Sequence, residues 1–338
     1  MSHAAELADA LSDVDSVAVV CHDNPDPDCL ASALAFERIA RAQSVGDVAI
    51  IYGGEISHQQ NRAFVNMLDI DVRHGEDVDV GEYEYVAFVD HSRPDGNSAI
   101  DRQVSADAVV DHHPNGRVDA PITDVRTDYG ATATIFVEYL LELDVELTTR
   151  LATALLFALH RERLDFIRDP TICEYEAALA VYPTADLESL EQLYGSAFTP
   201  ATIDAIGRAI RTRERRGSAL VASVGRTAET DALPQAADYL LNVEGVNSVL
   251  AYGVVGDAIR LSARSIDPRV NVGETLLDAF DELGGVGGHH DMAGGRIDLG
   301  IFADDPDAED VDELLSFVGR RIERRFFEAL RLDGNEER

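Results

Sequence analysis

Apolar and polar positions along the chain alternate between short buried runs and longer segments of helical spacing. Residues 16–21, 48–52, 85–89 and 108–110 are compact runs rich in Val, Ile and Ala. Runs of this length, bounded by polar or glycine-rich stretches, predict strands buried on both faces. Helices are expected at 4–12, 30–36, 58–68, 135–143, 151–160, 171–182 and 186–194, and another starts at Thr199-Pro200. Strands and helices in alternation with short turns predict an α/β fold with a mostly parallel, doubly wound sheet. From Ala219 the pattern restarts: a strand at 220–224, a helix at 233–242, strands near 247–255 and 258–265, a glycine-rich turn at 284–295, and a strand at 296–301. A last helix places Val311, Leu314, Leu315, Val318, Ile322 and Phe326 on one face. At 338 residues the chain can hold two cores. The expected organisation is a first domain at 1–198, a helical connector at 199–217, a smaller α/β domain at 218–332, and a loose tail.

Three of the predicted strands end on the same kind of residue. The run 108–110 stops at Asp111-His112-His113, the run 85–89 at Asp90-His91, and the run 16–21 at His22, followed by Asp26 and Asp28. Ligands of open parallel sheets sit outside the carboxyl ends of the strands, so these side chains point to one site. Pro25 and Pro27 disfavour a helical conformation for Asn24 and Asp26. In an extended segment Asp26 and Asp28 would aim the same way; alternatively Asp28 caps the helix that follows. Carboxylates with imidazole and no thiolate suit Mn²⁺ better than a structural zinc, with Mg²⁺ or Co²⁺ as alternatives. Two such ions about 3.5–4 Å apart form a clamp for in-line attack on phosphorus. Gly130-Ala131-Thr132, before a helix, either offers N–H groups and a hydroxyl to a phosphate or simply starts that helix.

The ordered motifs His22-x-x-Pro25-Asp26-x-Asp28-x-x-x-Ser32, Asp90 and Asp111-His112-His113 resemble those of the DHH phosphoesterase superfamily. Gly287-Gly288-His289-His290-Asp291-Met292-Ala293-Gly294-Gly295 resembles the glycine-rich signature of the DHH-associated C-terminal domain. The resemblance implies that His22, Asp26 and Asp90 hold one ion and that Asp28, Asp90 and His112 hold the other, with Asp90 as bridge. It also implies that His113 faces the phosphate or supports the ligands, while Asp111 orients the His pair. Arg264 and Ser265, in a strand like the family's, would approach the substrate backbone together with Gly287, Gly288 and His290. Pro27 stands where the family has Gly, and His289 where a Gly is usual. Members carry Thr-Asp-Thr before a nearby Phe, the Asp ligating the second ion. Here the stretch is Arg161-Glu162-Arg163-Leu164-Asp165-Phe166, so Glu162 takes that role and Asp165 is the fallback.

Composition adds a constraint. The formal net charge is −35, and all 28 basic residues are Arg. Phosphate binding rests on Lys and Arg, so such acidity ordinarily argues against nucleic-acid partners. In a salt-loaded cytoplasm, such as that of a halophilic archaeon, the Debye length falls to roughly 3 Å and local contacts decide binding instead. The Arg211, Arg213, Arg215, Arg216 cluster is expected to be a solvated face or an ion-pair set rather than a nucleic-acid patch. Cys21, Cys29 and Cys173 have no C-x-x-C spacing, and Cys21 and Cys29 read as core residues. No apolar run has membrane length and no signal peptide opens the chain, so a cytoplasmic protein without membrane partners is expected, with a homodimer left open. The function expected is a manganese-dependent phosphoesterase acting on short oligonucleotides, linear or cyclic dinucleotides, or 3′,5′-bisphosphonucleotides. The alternatives are a RecJ-type single-strand exonuclease and a catalytically weakened, nucleotide-sensing or replication-associated scaffold.

Overall fold

The computed structural model describes residues 2–92, 104–113, 120–163, 165–167, 170–195, 198–300 and 308–332. The chain divides into two compact units, Met1–Ala197 and Phe198–Arg338. The first contains α1 (His3–Leu11), β1 (Ser16–Asp23), α2 (Pro27–Ala42), β2 (Asp47–Gly53), α3 (Gln59–Met67), β3 (Val72–His74), β4 (Tyr85–Val89), β5 (Ala108–Asp111), β6 (Ile122–Val125), α4 (Thr132–Glu142), α5 (Thr149–Glu162), α6 (Ile172–Val181) and α7 (Leu187–Gly195).

Its six strands pair in parallel in the order β3-β2-β1-β4-β5-β6. This is a doubly wound order that reverses between β1 and β4, where ligands of such sheets bind. Alternate residues of each strand bury into opposite cores. Val17, Val19, Cys21, Ile50, Ala87, Val89 and Val110 meet the helices, including Phe36, Phe136 and Phe157. Ala18, Val20, Ile51, Phe88 and Val109 meet Val80 and Ala106. Among the described residues, the helices thus gather on one face, and connecting segments rather than helices cover the other.

The second unit holds α8 (Pro200–Thr212), β7 (Glu214–Arg216), β8 (Ala219–Arg226), α9 (Ala232–Leu240), β9 (Ser248–Val255), β10 (Ala258–Ser265), α10 (Val272–Phe280), β11 (Gly285–Gly288), β12 (Met292–Asp298) and α11 (Ala308–Ala329). Its sheet runs β11-β12-β10-β9-β8-β7, antiparallel except between β8 and β9. α8 and α9 cover one face, while α10 and α11 cover the other, with Leu315, Ile322 and Phe326 in the core. The side chain of Val311 and the tail 333–338 lie outside the described residues.

Several local expectations change. Residues 199–217 form α8, with Thr199 as N-cap and Pro200 in its first turn, then the edge strand β7. The Arg211, Arg213, Arg215, Arg216 cluster is exposed, as expected; within it Arg215 donates to the carbonyls of Gly217, Glu244 and Gly245, and Arg216 lies over the Phe327 ring. The turn expected at 284–295 is instead a hairpin, β11 and β12, with a short connection at residues 289–291. Asn24 is not extended. Its φ is +53°, a region Asn tolerates, and its Oδ1 accepts from the N–H of Ser57.

Candidate active site

The strand order sets His22, Asp90 and Asp111-His112-His113 side by side at the carboxyl ends of β1, β4 and β5. The pairing of β1 with β2 shifts between Val20 and Asp23, an irregularity that contains His22. Asp90 is buried and has φ +62°, a strained conformation of the kind that clusters at functional sites. Its N–H donates to Val110 O at 2.9 Å.

The Asp90 carboxylate faces a histidine on each side. Its Oδ2 is 3.6 Å from His22 Nε2, and its Oδ1 is 3.7 Å from His112 Nε2 and 3.9 Å from His113 Nδ1. Oδ1 also accepts from Thr132 Oγ1 at 2.7 Å. The other ring nitrogens are anchored on backbone carbonyls: His22 Nδ1 on Asp23 O at 2.9 Å and His112 Nδ1 on Tyr129 O at 3.3 Å. A carbonyl only accepts, so each Nδ1 carries the proton and each Nε2, once its ring is neutral, offers a lone pair toward the carboxylates. Lone pairs and carboxylates facing one another at 3.6–4.0 Å are beyond hydrogen-bond range. They suit ligands gathered around a cation at roughly 2.0–2.2 Å each, and the backbone anchoring is the outer support that ligating histidines use.

Asp26 and Asp28 reach this group differently from the expected extended pair. The helix begins at Pro27, so Asp26 is the N-cap of α2, its Oδ1 accepting from Cys29 N at 3.0 Å. That oxygen is 4.0 Å from His22 Nε2. Asp28, in the first turn and fully buried, accepts from Thr132 N and Ala133 N, both at 2.8 Å, and its Oδ2 is 3.8 Å from His112 Nε2. Asp28 therefore caps α4, whose own N-cap, Ala131, has no side chain able to do so. This corrects the reading of Thr132 as a phosphate donor: its N–H serves Asp28 and its hydroxyl Asp90. Burial, then the charges of Asp90, Glu162 and Asp26, push the Asp28 carboxyl well above its ordinary range. A cation would relieve that repulsion.

Asp111 orients the second histidine. Its Oδ1 accepts from His113 N at 3.0 Å and Nδ1 at 2.9 Å, and Oδ2 accepts from Ser92 Oγ. The Asp111 bond pushes His113 up to about 9, against the burial that would lower it. His113 is half exposed and its Nδ1 lies beside Asp90.

In the second unit, Arg264 on β10 donates from Nε to Asp238 Oδ1 at 2.8 Å and lines a groove with Gly288 and His289. Ser265 does not face that groove. Its buried hydroxyl bonds Ser248 Oγ at 2.9 Å and Asn247 O at 3.1 Å and accepts from Asp267 N, so the expected substrate contact is a structural one. The carbonyls of His290 and His289 accept from Val272 N and Gly273 N, which seats the hairpin connection on the start of α10. Gly287, Gly288 and the side chain of His290 are exposed there.

Residues 16–159 match the DHH family N-terminal domain, and residues 216–324 match the DHHA1 domain. The chain belongs to the DHH phosphoesterase superfamily. It is 35% identical over 320 residues to an uncharacterised protein of Methanocaldococcus jannaschii, across 94% of this chain and 65% of that one. It is 30% identical over 188 residues to a probable manganese-dependent inorganic pyrophosphatase of Listeria monocytogenes, across 54% of this chain and 59% of that one. The chain thus spans less than two thirds of the length of these relatives. Its fold is that of an exopolyphosphatase-related protein from Bacteroides fragilis, with TM-score 0.75, 12% identity and 97% of each chain covered.

Where this DHH chain departs from the family pattern, Glu162 ends α5. Burial, then the charges of Asp26 and Asp90, push its carboxyl up to about 7, which places it in the field of the proposed ligands. Asp165 is engaged elsewhere: His160 Nδ1 lies 3.0 Å from its Oδ1, and Tyr194 OH donates to the same oxygen. Arg163 reaches Tyr129 O at 3.4 Å. Cys29, read as a core residue, and His91, named at the end of its strand, also stand beside this group. The Cys29 thiol sits within 4.8 Å of ligand atoms of both His22 and Asp90. His91 stacks on Phe88, and burial holds its pKa low. No helix among the described residues is long and apolar enough to cross a membrane.

Proposed function

We propose that this chain is a divalent-metal-dependent phosphoesterase hydrolysing small nucleotide substrates: short oligonucleotides, linear or cyclic dinucleotides, or 3′,5′-bisphosphonucleotides. The observation that carries the reading is the Asp90 carboxylate, which turns one oxygen to His22 Nε2 and the other to His112 Nε2. A carboxylate so placed serves two cation sites at once. His22, Asp26 and Asp90 would hold one ion; Asp28, Asp90, His112 and Glu162 would hold the other. Oxygen and imidazole donors favour Mn²⁺ or a similar ion, in keeping with the manganese dependence in the Listeria relative's name. Bound divalent ions supply Lewis acidity and lower the pKa of an attacking water. The protein's own contribution is positional: α4 and the backbone carbonyls fix the ligands, and Asp111 holds His113, which would face the phosphate oxygens. An assay with Mn²⁺ against pyrophosphate, a bisphosphonucleotide, dinucleotides and single strands of increasing length tests this. Turnover concentrated on the nucleotides of one to a few residues is expected. Turnover of pyrophosphate alone, or a preference for long strands, would overturn it.

A further inference from the structure

The second unit contains a groove of about 520 Å³ that runs from Arg264 to Arg260. Arg260, Ser262 and Arg264 alternate along β10 and share one face of the sheet. Directly opposite on β12 stand Arg296, Gly294 and Met292, and opposite Arg296 on β11 stands Gly285. Leu233 and Pro234 of α9 form the wall. Two of the three guanidinium groups are neutralised within the protein. Arg264 pairs with Asp238, and Arg296 with Asp257 and Asp298, at 2.8–2.9 Å. Arg260 makes no hydrogen bond or ion pair among the described residues, and its Nε is buried without a partner. Yet it lies directly across from Arg296, a like-charge arrangement that costs stability in a sheet.

The floor beside it is bare for no internal reason. A Cβ at Gly285 would meet nothing within 4 Å, and at Gly294 only an ordinary contact with Leu261 O at 3.5 Å. Neither has the positive φ that requires glycine. Removing side chains where the protein itself has room leaves space for another molecule to lie on the strand. An apolar wall, a flat bare floor and an unpaired cation fit a nucleotide, with its base and ribose on the apolar surface and its phosphate on the guanidinium.

We propose that Arg260 and the glycine floor of β11 and β12 form a phosphate subsite that takes a terminal phosphate of a short nucleotide chain, separate from the Arg264 end of the groove. The proposal rests on the nucleotide specificity proposed above and adds to it a preference for phosphorylated ends. Strand geometry places the two ends of the groove roughly 13 Å apart along β10, so one small anion cannot occupy both.

The test is equilibrium binding to the full-length chain in EDTA, using ApA, pApA and ApAp as probes. One of the phosphorylated dinucleotides is expected to bind about tenfold or more tighter than ApA, the scale of a hydrogen-bonded charge pair. R260Q should erase that preference while leaving the affinity for ApA unchanged, R260K should retain part of it, and G285V should weaken all three probes. D90N should keep the preference intact. An R260Q protein that still prefers the phosphorylated probe, or a wild type with no such preference, overturns the subsite. Failure of the function reading shows differently: the preference persists in the wild type, but no nucleotide is turned over when Mn²⁺ is restored.

Discussion

Asp90 is the most constrained residue of the candidate site: its backbone, both carboxylate oxygens and its partner Thr132 are all committed to one geometry. Asn tolerates a positive φ as well as Asp does and still accepts from Thr132, but it brings an NH₂ to one of the two histidines. Asp90→Asn should therefore keep its fold by circular dichroism while manganese-dependent turnover drops to background and bound manganese per chain falls. Full turnover in this variant would end the two-ion reading. Glu162 and Asp165 make a second contrast. Asp165 is held by His160 and Tyr194, whereas Glu162 lies in the field of Asp26 and Asp90. Glu162→Gln should cost far more activity than Asp165→Asn, with Glu162→Asp the mildest change. Asp165→Asn should cost stability of about 1 kcal/mol or less, since its partners are partly exposed. The reverse order in a manganese titration would make Asp165 the ligand.

Between elements, the decisive joints are buried carboxylates that accept from backbone N–H groups of a neighbouring segment. Asp28 closes α4 from α2. Glu174, buried in α6, accepts from Gly130 N at 2.7 Å, Thr134 Oγ1 at 3.2 Å and Thr171 N at 2.6 Å. Burial alone would raise the Glu174 carboxyl, yet these donors hold it below its ordinary value. A group so depressed stabilises the fold above its unfolded pKa of about 4.3, and the contribution is lost as pH falls through the lower folded value. Glu174→Gln turns an NH₂ toward an N–H, so it should destabilise by about 1–3 kcal/mol at pH 7 in urea unfolding. The gap from wild type should close in acid. A gap that stayed constant from pH 7 to pH 3 would mean that the charge of Glu174 is not what the donors hold. The sequence carried the element pattern well where burial was continuous, as in β1, β4 and β5, and the strand ends named the metal-competent side chains. It did not carry β3, β6 or β7, which are three or four residues long and mix Arg73, Asp124 or Arg215 into their runs. Nor could it show that Thr132 and Ser265 spend their hydrogen bonds inside the protein, because those partners, Asp28, Asp90, Ser248 and Asn247, come from distant positions in the chain.

At the scale of the whole molecule, charge sets the behaviour. A net charge of −35 with no lysine repels itself and repels an anionic nucleotide at long range. The anion contacts proposed for the protein, Arg264, His113 and Arg260, would act at contact distance. Raising the salt from about 0.1 M to 1 M shortens the Debye length from roughly 10 Å to 3 Å, which removes the long-range repulsion before it weakens contacts of about 3 Å. Folding stability should then rise with KCl in urea unfolding. The value of kcat/KM for a dinucleotide should hold or rise between 0.1 and 1 M KCl. A protein that binds nucleic acid through a basic surface does the opposite, losing affinity steeply over the same range as counterions are released. Steady-state kinetics across a KCl series separate the two. A kcat/KM that collapses with salt would show that extended cationic contacts, rather than a few local ones, hold the substrate, and would return the reading to an enzyme of longer strands.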